Sequence, residues 1–286
     1  MILVTGATGN VGSELVKILA GKRQPVRGLV RSPRPLPENV EVAVGNLDDA
    51  ASLKAAAEGV KGVFLLGGYA DTAGALAVFR EAGVEHVALL SSRSVVGGQE
   101  SNAVTGMHMA AERAVRDSGL AWTFVRASGF MANTLQWVPQ LKAGNVVREP
   151  FADVPVAAID PHDIAAVAAA ALTENGHTGQ AYAVTGPEAL LPADRLRILA
   201  KVLGRELRLE ALPNDVAREE MSRTTPAKYV DAFFRYFAEG EFDDSSVTTT
   251  VRDVAGKEPR TFTDWAEAHS GAFRDQGHPG EAKDGK

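Results

Sequence analysis

The sequence predicts an α/β fold, a doubly wound parallel sheet with a smaller C-terminal α/β lobe. In the first half of the chain, short apolar runs alternate with segments that have helical periodicity. Strands buried on both faces of a parallel sheet have this apolar character. Six such strands separated by crossover helices give a sheet that is covered on both sides. A sheet of this kind binds its ligand beyond the carboxyl ends of the strands, where the strand order reverses.

Each element of the first half has its own local signal. Apolar residues at helical spacing follow the first strand, and Gly21 ends that helix. Asp48 is the expected N-cap of a helix that continues to Glu58. A later helix is predicted from Met107 to Ser118. The six predicted strands are 2–5, 26–30, 40–44, 60–66, 86–90 and 121–126.

After Arg126 the alternation breaks, which predicts a second structural unit. We divide the chain into a sheet domain over 1–150 and a second lobe over 151–270, and the sheet is allowed to recruit segments from 151–190. The end of the chain is rich in Gly, Pro and charged residues, so we predict a flexible tail over 271–286. The later elements are predicted as helices at 135–142, 161–172 and 194–203, and as strands at 151–159 and 181–185.

The composition excludes several classes of protein. The 286 residues contain no Cys, which excludes a disulfide framework, a Cys-ligated zinc site, an iron–sulfur cluster and a thiol nucleophile. The formal net charge is -6 and no basic run occurs, so we expect no nucleic-acid partner. We also expect no membrane span, because no stretch of 18 apolar residues occurs. Without a secretory pattern, the default location is the cytoplasm.

The most informative motif is the glycine-rich segment directly after the first strand. Gly6, Gly9 and Gly12 have the spacing G-x-x-G-x-x-G, a variant of the Rossmann fingerprint. The first glycine allows a tight turn, the second lets a pyrophosphate approach the backbone, and the third lets the helix pack closely on the strand. The helix N-terminus offers free N–H groups and partial positive charge. The motif predicts a Rossmann-like domain that binds its cofactor through Gly6, Thr8, Gly9, Asn10 and Val11.

The end of the second strand indicates which dinucleotide is bound. NAD enzymes usually place Asp or Glu there to accept from the ribose 2′-hydroxyl, but this chain has Arg31 and no acid. Arg31 would bind a 2′-phosphate through charge-assisted hydrogen bonds, each worth about 1.5–3 kcal/mol. We therefore predict NADP(H), with NAD(H) less favoured. Arg27 and Arg34 are the secondary candidates for this contact.

Three further strand ends complete the predicted cofactor site. After the third strand, Asn46 is expected to donate to the adenine and Leu47 to pack on its ring. The fourth and fifth strands end in small residues, which permit close approach of the nicotinamide half. These residues are Gly67, Gly68, Ser91 and Ser92.

Together these motifs resemble the NmrA-like family of atypical short-chain dehydrogenases/reductases. The resemblance rests on the segments 4–12, 26–31, 158–165 and 181–191, and it covers roughly residues 1–260. Within the family it is strongest for the bacterial NAD(P)H-dependent quinone, azo-dye and triphenylmethane-dye reductases. It implies an NAD(P)-binding domain, a smaller C-terminal substrate lobe and a cleft between them.

One departure from the short-chain dehydrogenase pattern concerns catalysis. Those enzymes use Tyr-x-x-x-Lys, in which the Lys lowers the pKa of the Tyr so that the phenol can exchange a proton. No Lys occurs between Lys61 and Lys142, where the pair would lie. None of the four Tyr residues has a Lys four positions later: Tyr69, Tyr182, Tyr229 and Tyr236. Ordinary carbonyl reduction with a Tyr acid is therefore disfavoured.

Three functions remain open at this point. The first is NADPH-dependent hydride transfer to a quinone or a similar conjugated aromatic acceptor, which needs little prior protonation. The second is a non-catalytic NADP(H)-binding redox sensor or regulator of the NmrA type. The third is a tailoring reductase for a ketone or enone. His108 is the candidate proton donor or acceptor-orienting group, although a packing or cofactor-contacting role explains it equally well.

The substrate and partner expectations follow from the resemblance. The implied cleft contains aromatic, apolar and amide residues that suit a small planar aromatic or quinone-like substrate, although ordinary core packing is the alternative. No metal is expected: His108 and Glu112 lie four residues apart on a helix, but an exposed pair or a cap explains them and no third ligand is apparent. A homodimer or a protein partner stays open. The candidate substrate residues are Phe130, Met131, Asn133, Trp137 and Phe151.

Overall fold

The computed structural model describes residues 1–274, and a seven-stranded sheet forms its centre. The strand order is β3-β2-β1-β4-β5-β6-β8, and every pairing in this sheet is parallel. The chain builds outward from β1 in one direction and from β4 in the other, which confirms the doubly wound topology. The strands are β1 (Ile2–Val4), β2 (Val26–Val30), β3 (Val40–Val44), β4 (Gly62–Leu66), β5 (His86–Ser92), β6 (Ala121–Ala127), β7 (Val146–Glu149), β8 (Gln180–Val184) and β9 (Arg208–Ala211).

Helices cover both faces of this sheet. One face carries the first, sixth and tenth helices over an apolar core, and the other face carries the second, third and fourth. The helices are α1 (Asn10–Gly21), α2 (Lys54–Ala57), α3 (Thr72–Glu81), α4 (Ala103–Asp117), α5 (Val138–Ala143), α6 (Pro161–Thr173), α7 (Pro192–Leu203), α8 (Asn214–Ser222), α9 (Ala227–Phe237), α10 (Thr250–Ala255) and α11 (Phe262–Phe273).

The smaller C-terminal lobe has its own core. Strands β7 and β9 pair in parallel, and α5, α7 and α11 pack around the buried rings of Trp137 and Trp265. A 3₁₀ helix, Met131–Trp137, connects β6 to this lobe. The chain then returns to the main sheet as β8, within the range that the sequence allowed the sheet to recruit. The exact division at residue 150 stays a prediction.

The predicted strand over 151–159 is wrong. Phe151 has a φ of 54°, which is not an extended conformation, and Pro155 has no N–H to donate to a ladder. The segment makes isolated bridges, Val156 with Leu190 and Phe130 with Ile159. The strands β7 and β9, which the sequence did not predict, have four residues each and both contain charged residues.

Two helix starts also differ from the prediction. Asp49, not Asp48, caps the 3₁₀ turn Ala50–Leu53 by accepting from the backbone N–H of Ala51. Asp48 instead accepts from the N–H of Ala70 at 2.7 Å. Helix α4 begins at Ala103, four residues before the predicted start, because Asn102 caps it.

Residues 271–273, the first three of the predicted flexible tail, are helical. Helix α11 continues through Gly271 to Phe273, whose side chain is fully buried in the lobe core. The rest of the predicted tail, 275–286, lies outside the described residues. Among residues 1–274, none of the helices combines the length and the apolarity that a membrane span requires.

Candidate cofactor and substrate site

The glycine turn after β1 has the geometry that its spacing predicts. Gly6 has a φ of +61°, a left-handed conformation that favours glycine. A Cβ on Gly12 would lie 2.1 Å from the carbonyl oxygen of Gly6, so α1 can approach the turn this closely only with glycine there. A Cβ on Gly9 would lie 3.3 Å from the same oxygen. The three glycines therefore hold the helix N-terminus directly against the end of β1.

This helix N-terminus is open to an anion. Gly9 is the N-cap, no side chain caps the helix, and its first turn contains no acidic residue. Thr8, Gly9 and Asn10 are exposed, whereas Val11 is buried so that its contact would come from the backbone. The first N–H groups of an α-helix lack intrahelical partners and carry partial positive charge. The turn therefore fits a pyrophosphate.

The basic residues at β2 differ in their availability. Arg31 directly follows β2, the strand beside β1, and its side chain is exposed. Arg34 is also exposed. Arg27 lies inside the strand, where its Nε donates to Glu41 at 2.6 Å and its Nη1 to the carbonyl of Glu58 at 2.8 Å. We therefore withdraw Arg27 as a candidate for the 2′-phosphate contact.

The predicted adenine contacts after β3 are only partly accessible. Asn46 is exposed, and its Oδ1 accepts from the backbone N–H of Asp48 at 3.2 Å, which leaves the side-chain NH₂ group to donate. The side chain of Leu47 is 4% exposed and packs in the core beneath the sheet. The stacking role predicted for Leu47 is therefore corrected, since only its backbone faces the strand ends.

A cavity of about 480 Å³, the main cavity, opens at the carboxyl ends of β4, β5 and β6. Six of the predicted cofactor and substrate residues lie in its wall, together with His108. The carboxyl ends of parallel strands beside the topological switch are where this fold binds its ligands. The predicted residues in the wall are Gly67, Gly68, Ser91, Ser92, Phe130 and Asn133.

The predicted aromatic wall needs correction. Met131 and Trp137 are buried in the core of the smaller lobe and do not line the main cavity. In a 3₁₀ helix, residues three apart point the same way. Met131 and Trp137 therefore point inward, whereas Asn133 points toward the cavities. Phe151 lines a second cavity of about 550 Å³, which adjoins the main cavity and shares Phe130 and Asn133 with it.

A buried ion pair between Glu112 and Arg126 lies beneath the main cavity. Glu112 is fully buried and accepts from Arg126 through two bonds of 2.8 and 2.7 Å and from the Ser91 hydroxyl at 2.7 Å. Burial alone would raise the pKa of Glu112, but the hydrogen bonds from Arg126 and Ser91 lower it below its ordinary value. The expected exposed His108–Glu112 pair is therefore wrong, and the Ser91 hydroxyl proton is already donated within the protein.

His108 sits in the cavity wall beside Gly67. Its Nδ1 is buried and has no hydrogen-bond partner within residues 1–274. Burial lowers the pKa of His108 below its ordinary value, and the nearby Glu112 carboxylate only partly opposes this effect. The imidazole is therefore neutral at pH 7, with one nitrogen able to donate and the other able to accept.

Two polar residues of the cavity wall were missed from the sequence. Tyr236 on α9 is hydrogen-bonded to Thr105, and burial raises the pKa of its phenol, so it stays protonated at neutral pH. Asp244 binds Arg93 at 3.0 Å and the N–H of Gly129 at 2.8 Å, and burial raises its pKa. The cluster of aromatic residues at 233–237 was the available signal for Tyr236, and nothing local marks Asp244.

Comparison with known proteins identifies the family of this chain. The NmrA-like family model matches residues 1–267. A (4-alkanoyl-5-oxo-2,5-dihydrofuran-3-yl)methyl phosphate reductase of Streptomyces griseus is 43% identical over 96% of this chain and 99% of that protein. An NAD(P)H azoreductase of Xenophilus azovorans is 34% identical over 96% and 99%.

A solved structure shares the fold. The NADPH-dependent quinone oxidoreductase of Escherichia coli, crystallised with NADPH, has a TM-score of 0.77 at 23% identity, covering 94% of this chain and 99% of that chain. At this identity the likeness concerns the fold alone. The family model and these two relatives, both above 30% identity, confirm the resemblance stated from the motifs. The chain belongs to the NmrA-like family.

Proposed function

We propose that this protein uses NADPH to reduce a conjugated carbonyl acceptor, a quinone or an enone, by hydride transfer. Its reductase relatives match nearly the full chain and confirm the expectation of an NAD(P)H-dependent oxidoreductase. The observation that carries the finer proposal is the placement of the main cavity. It opens at the strand ends beside a glycine turn that is free to hold a pyrophosphate.

The residues that would hold the cofactor follow the strand order. The backbone from Gly6 to Val11 fits the pyrophosphate, Arg31 the 2′-phosphate, and Asn46 the adenine. The nicotinamide half then belongs in the main cavity, beside Gly67, Gly68, Ser91 and Ser92. When bound, NADPH supplies the hydride, so the protein must position the acceptor and manage a single proton.

Two neutral groups can serve the acceptor oxygen. As hydride adds to the conjugated system, that oxygen becomes an anion and then gains a proton. His108 is neutral and can donate a hydrogen bond from one ring nitrogen, so it is our proposed proton donor or orienting group. The protonated hydroxyl of Tyr236 lines the same cavity. Both acceptor classes delocalise the developing charge, which is why the absent Tyr-x-x-x-Lys pair does not forbid the reaction.

The name of one relative supports the enone class directly, and the other relative reduces a different conjugated acceptor. The name of the 43% identical reductase describes a dihydrofuran ring whose double bond is conjugated with a ring carbonyl and an alkanoyl carbonyl. This is an electron-poor enone, the acceptor of the predicted tailoring reductase. The azoreductase represents the dye-reducing branch of the family. A homodimer or a protein partner stays a prediction.

The proposal is tested by two measurements on one sample. NADPH and NADH are titrated by calorimetry, and NADPH oxidation at 340 nm is then followed with menadione, 1,4-benzoquinone and an acyl butenolide. We expect NADPH to bind more tightly than NADH and at least one acceptor class to be reduced. Tight NADPH binding without turnover of any acceptor would instead support the regulator that the sequence left open.

A further inference from the structure

The second cavity contains a buried cation, Arg195, whose Nε has no hydrogen-bond partner within residues 1–274. Its wall is mostly apolar, from Phe130, Phe151, Met221 and Phe237, and it adjoins the main cavity. Arg195, in the first turn of α7, also lines it and is only 9% exposed. One acceptor molecule could therefore place its reacting ring in the main cavity and a substituent beside Arg195.

The contacts of Arg195 do not satisfy its charge. Its Nε is buried without a hydrogen-bond partner within residues 1–274, and its guanidinium lies over the Trp137 ring, with Cζ 5.3 Å from the centroid. Glu149 lines the same cavity, but its oxygens accept from Trp137 at 2.6 Å and from Gln136 at 3.2 Å. A buried guanidinium with unused donors is costly unless an acceptor reaches it.

We propose that Arg195 binds an oxyanion head group of the acceptor, a phosphate monoester or a carboxylate, in the second cavity. The inference rests on the proposed function, because it assigns one substituent of that acceptor. The planar fork of a guanidinium matches two oxygens of either group. The aromatic walls would hold the chain that joins the head group to the ring.

The carboxylate of Glu149 in the same cavity opposes the binding of an anion. A carboxylate in the same wall would repel the head group, but burial raises the pKa of Glu149 and so lowers the cost of protonating it when an anion binds. Glu149→Gln keeps an oxygen that can accept from Trp137 and removes the charge. We therefore expect this variant to bind an oxyanion several-fold more tightly than the wild type.

Binding is measured by calorimetry on protein saturated with NADP⁺, so that the glycine turn and Arg31 cannot take the probe. We expect hexyl phosphate, hexanoate or both to bind at least tenfold more tightly than hexanol, and the stronger probe to identify the head group. Arg195→Met retains the apolar stem, and we expect it to abolish this difference. Arg197→Met, on the same helix but 74% exposed, is the matched control and should bind like the wild type.

Thermal unfolding separates this role from a structural one. Without ligand, Arg195→Met should unfold at the wild-type temperature or above it, because it removes an unsatisfied buried charge. A marked loss of stability together with unchanged probe binding would make Arg195 structural. If the oxyanions bind no better than hexanol in the wild type, the inference is overturned.

The two proposals can fail separately. Menadione has no acidic head group, so its reduction by the wild type tests the proposed function without using the oxyanion site. If menadione is reduced but neither oxyanion probe binds, the proposed function is supported and the oxyanion site at Arg195 is contradicted. If the probes bind through Arg195 but no acceptor is reduced, the oxyanion site is supported and the proposed function is contradicted.

Discussion

The glycine turn lies within residues 6–12, whereas the wall of the main cavity is assembled from distant parts of the chain. Tyr236 contacts Thr105 across 131 residues, and Asp244 binds Arg93 across 151. The turn depends on backbone geometry that only glycine allows. The wall depends on side chains that meet after both lobes have packed. The first kind of site has no room for a Cβ at Gly12, and the second depends on the assembled fold.

The largest effect is expected at the turn. Gly12→Val places side-chain atoms where a Cβ is already 2.1 Å from the Gly6 carbonyl oxygen, so helix and turn must separate. We expect measurable NADPH binding to be lost and stability to fall by about 1–3 kcal/mol. Calorimetry and thermal unfolding measure the two effects.

Gly21→Ala is the matched control, since a Cβ there meets no atom within 4 Å and lies on the same helix. It should leave NADPH affinity unchanged. Normal NADPH binding by Gly12→Val would show that binding does not require the close approach of α1 to the Gly6 carbonyl. The turn would then not differ from the cavity wall in its need for glycine.

The next effect concerns the charge beneath the cavity. Arg126→Met leaves the buried Glu112 carboxylate with one weaker ion pair, to Arg116 at 3.2 Å, so we expect a loss of about 3–5 kcal/mol in unfolding free energy. Because the folded pKa of Glu112 lies below its ordinary value of 4.5, this stabilisation is complete above that pH and is lost as the pH falls through the folded pKa.

Urea unfolding at a series of pH values measures that loss, and the difference from wild type should shrink in acid. Arg116→Met is the control, because its side chain is 43% exposed and its bond of 3.2 Å to Glu112 is longer than the two bonds from Arg126, so we expect a smaller loss. Equal losses in the two variants would contradict the assignment of Arg126 as the principal partner.

A smaller effect is expected at His108. H108A should lower kcat about 100-fold if the imidazole supplies the proton or orients the acceptor, while NADPH affinity stays unchanged. Stopped-flow and steady-state rates with menadione measure the change. Tyr236→Phe, in the same wall, is run beside it. A full rate in H108A with a slowed Tyr236→Phe would transfer the role to the phenol.

The smallest effect distinguishes the two exposed arginines after β2. Arg31→Asp should weaken NADPH binding about ten- to a hundredfold and invert the preference for NADPH over NADH. Arg34→Asp introduces the same charge three residues later and should have a lesser effect. If the two variants weaken NADPH equally in calorimetry, the 2′-phosphate contact does not belong to Arg31.

The sequence was most informative where one local signal decides the structure. Apolar runs located the strands of the main sheet, and the glycine spacing located the turn. It failed where packing decides, as at Trp137, whose aromatic ring suited a cleft but turns into the lobe core on a 3₁₀ helix. It also failed at Phe151, where a left-handed backbone and the following Pro155 replace the expected strand. Arg195 carried no local signal, since its burial exists only once the lobe has closed.

Strand β8 belongs to the main sheet, although in the chain it follows β7 of the smaller lobe. A fragment ending at residue 150 would leave β6 as an unpaired edge, because β8 is its neighbour. It would also expose the apolar stripe of α1 that α6 covers. We therefore expect residues 1–150 not to fold alone, and limited proteolysis between the lobes to unfold both rather than release one.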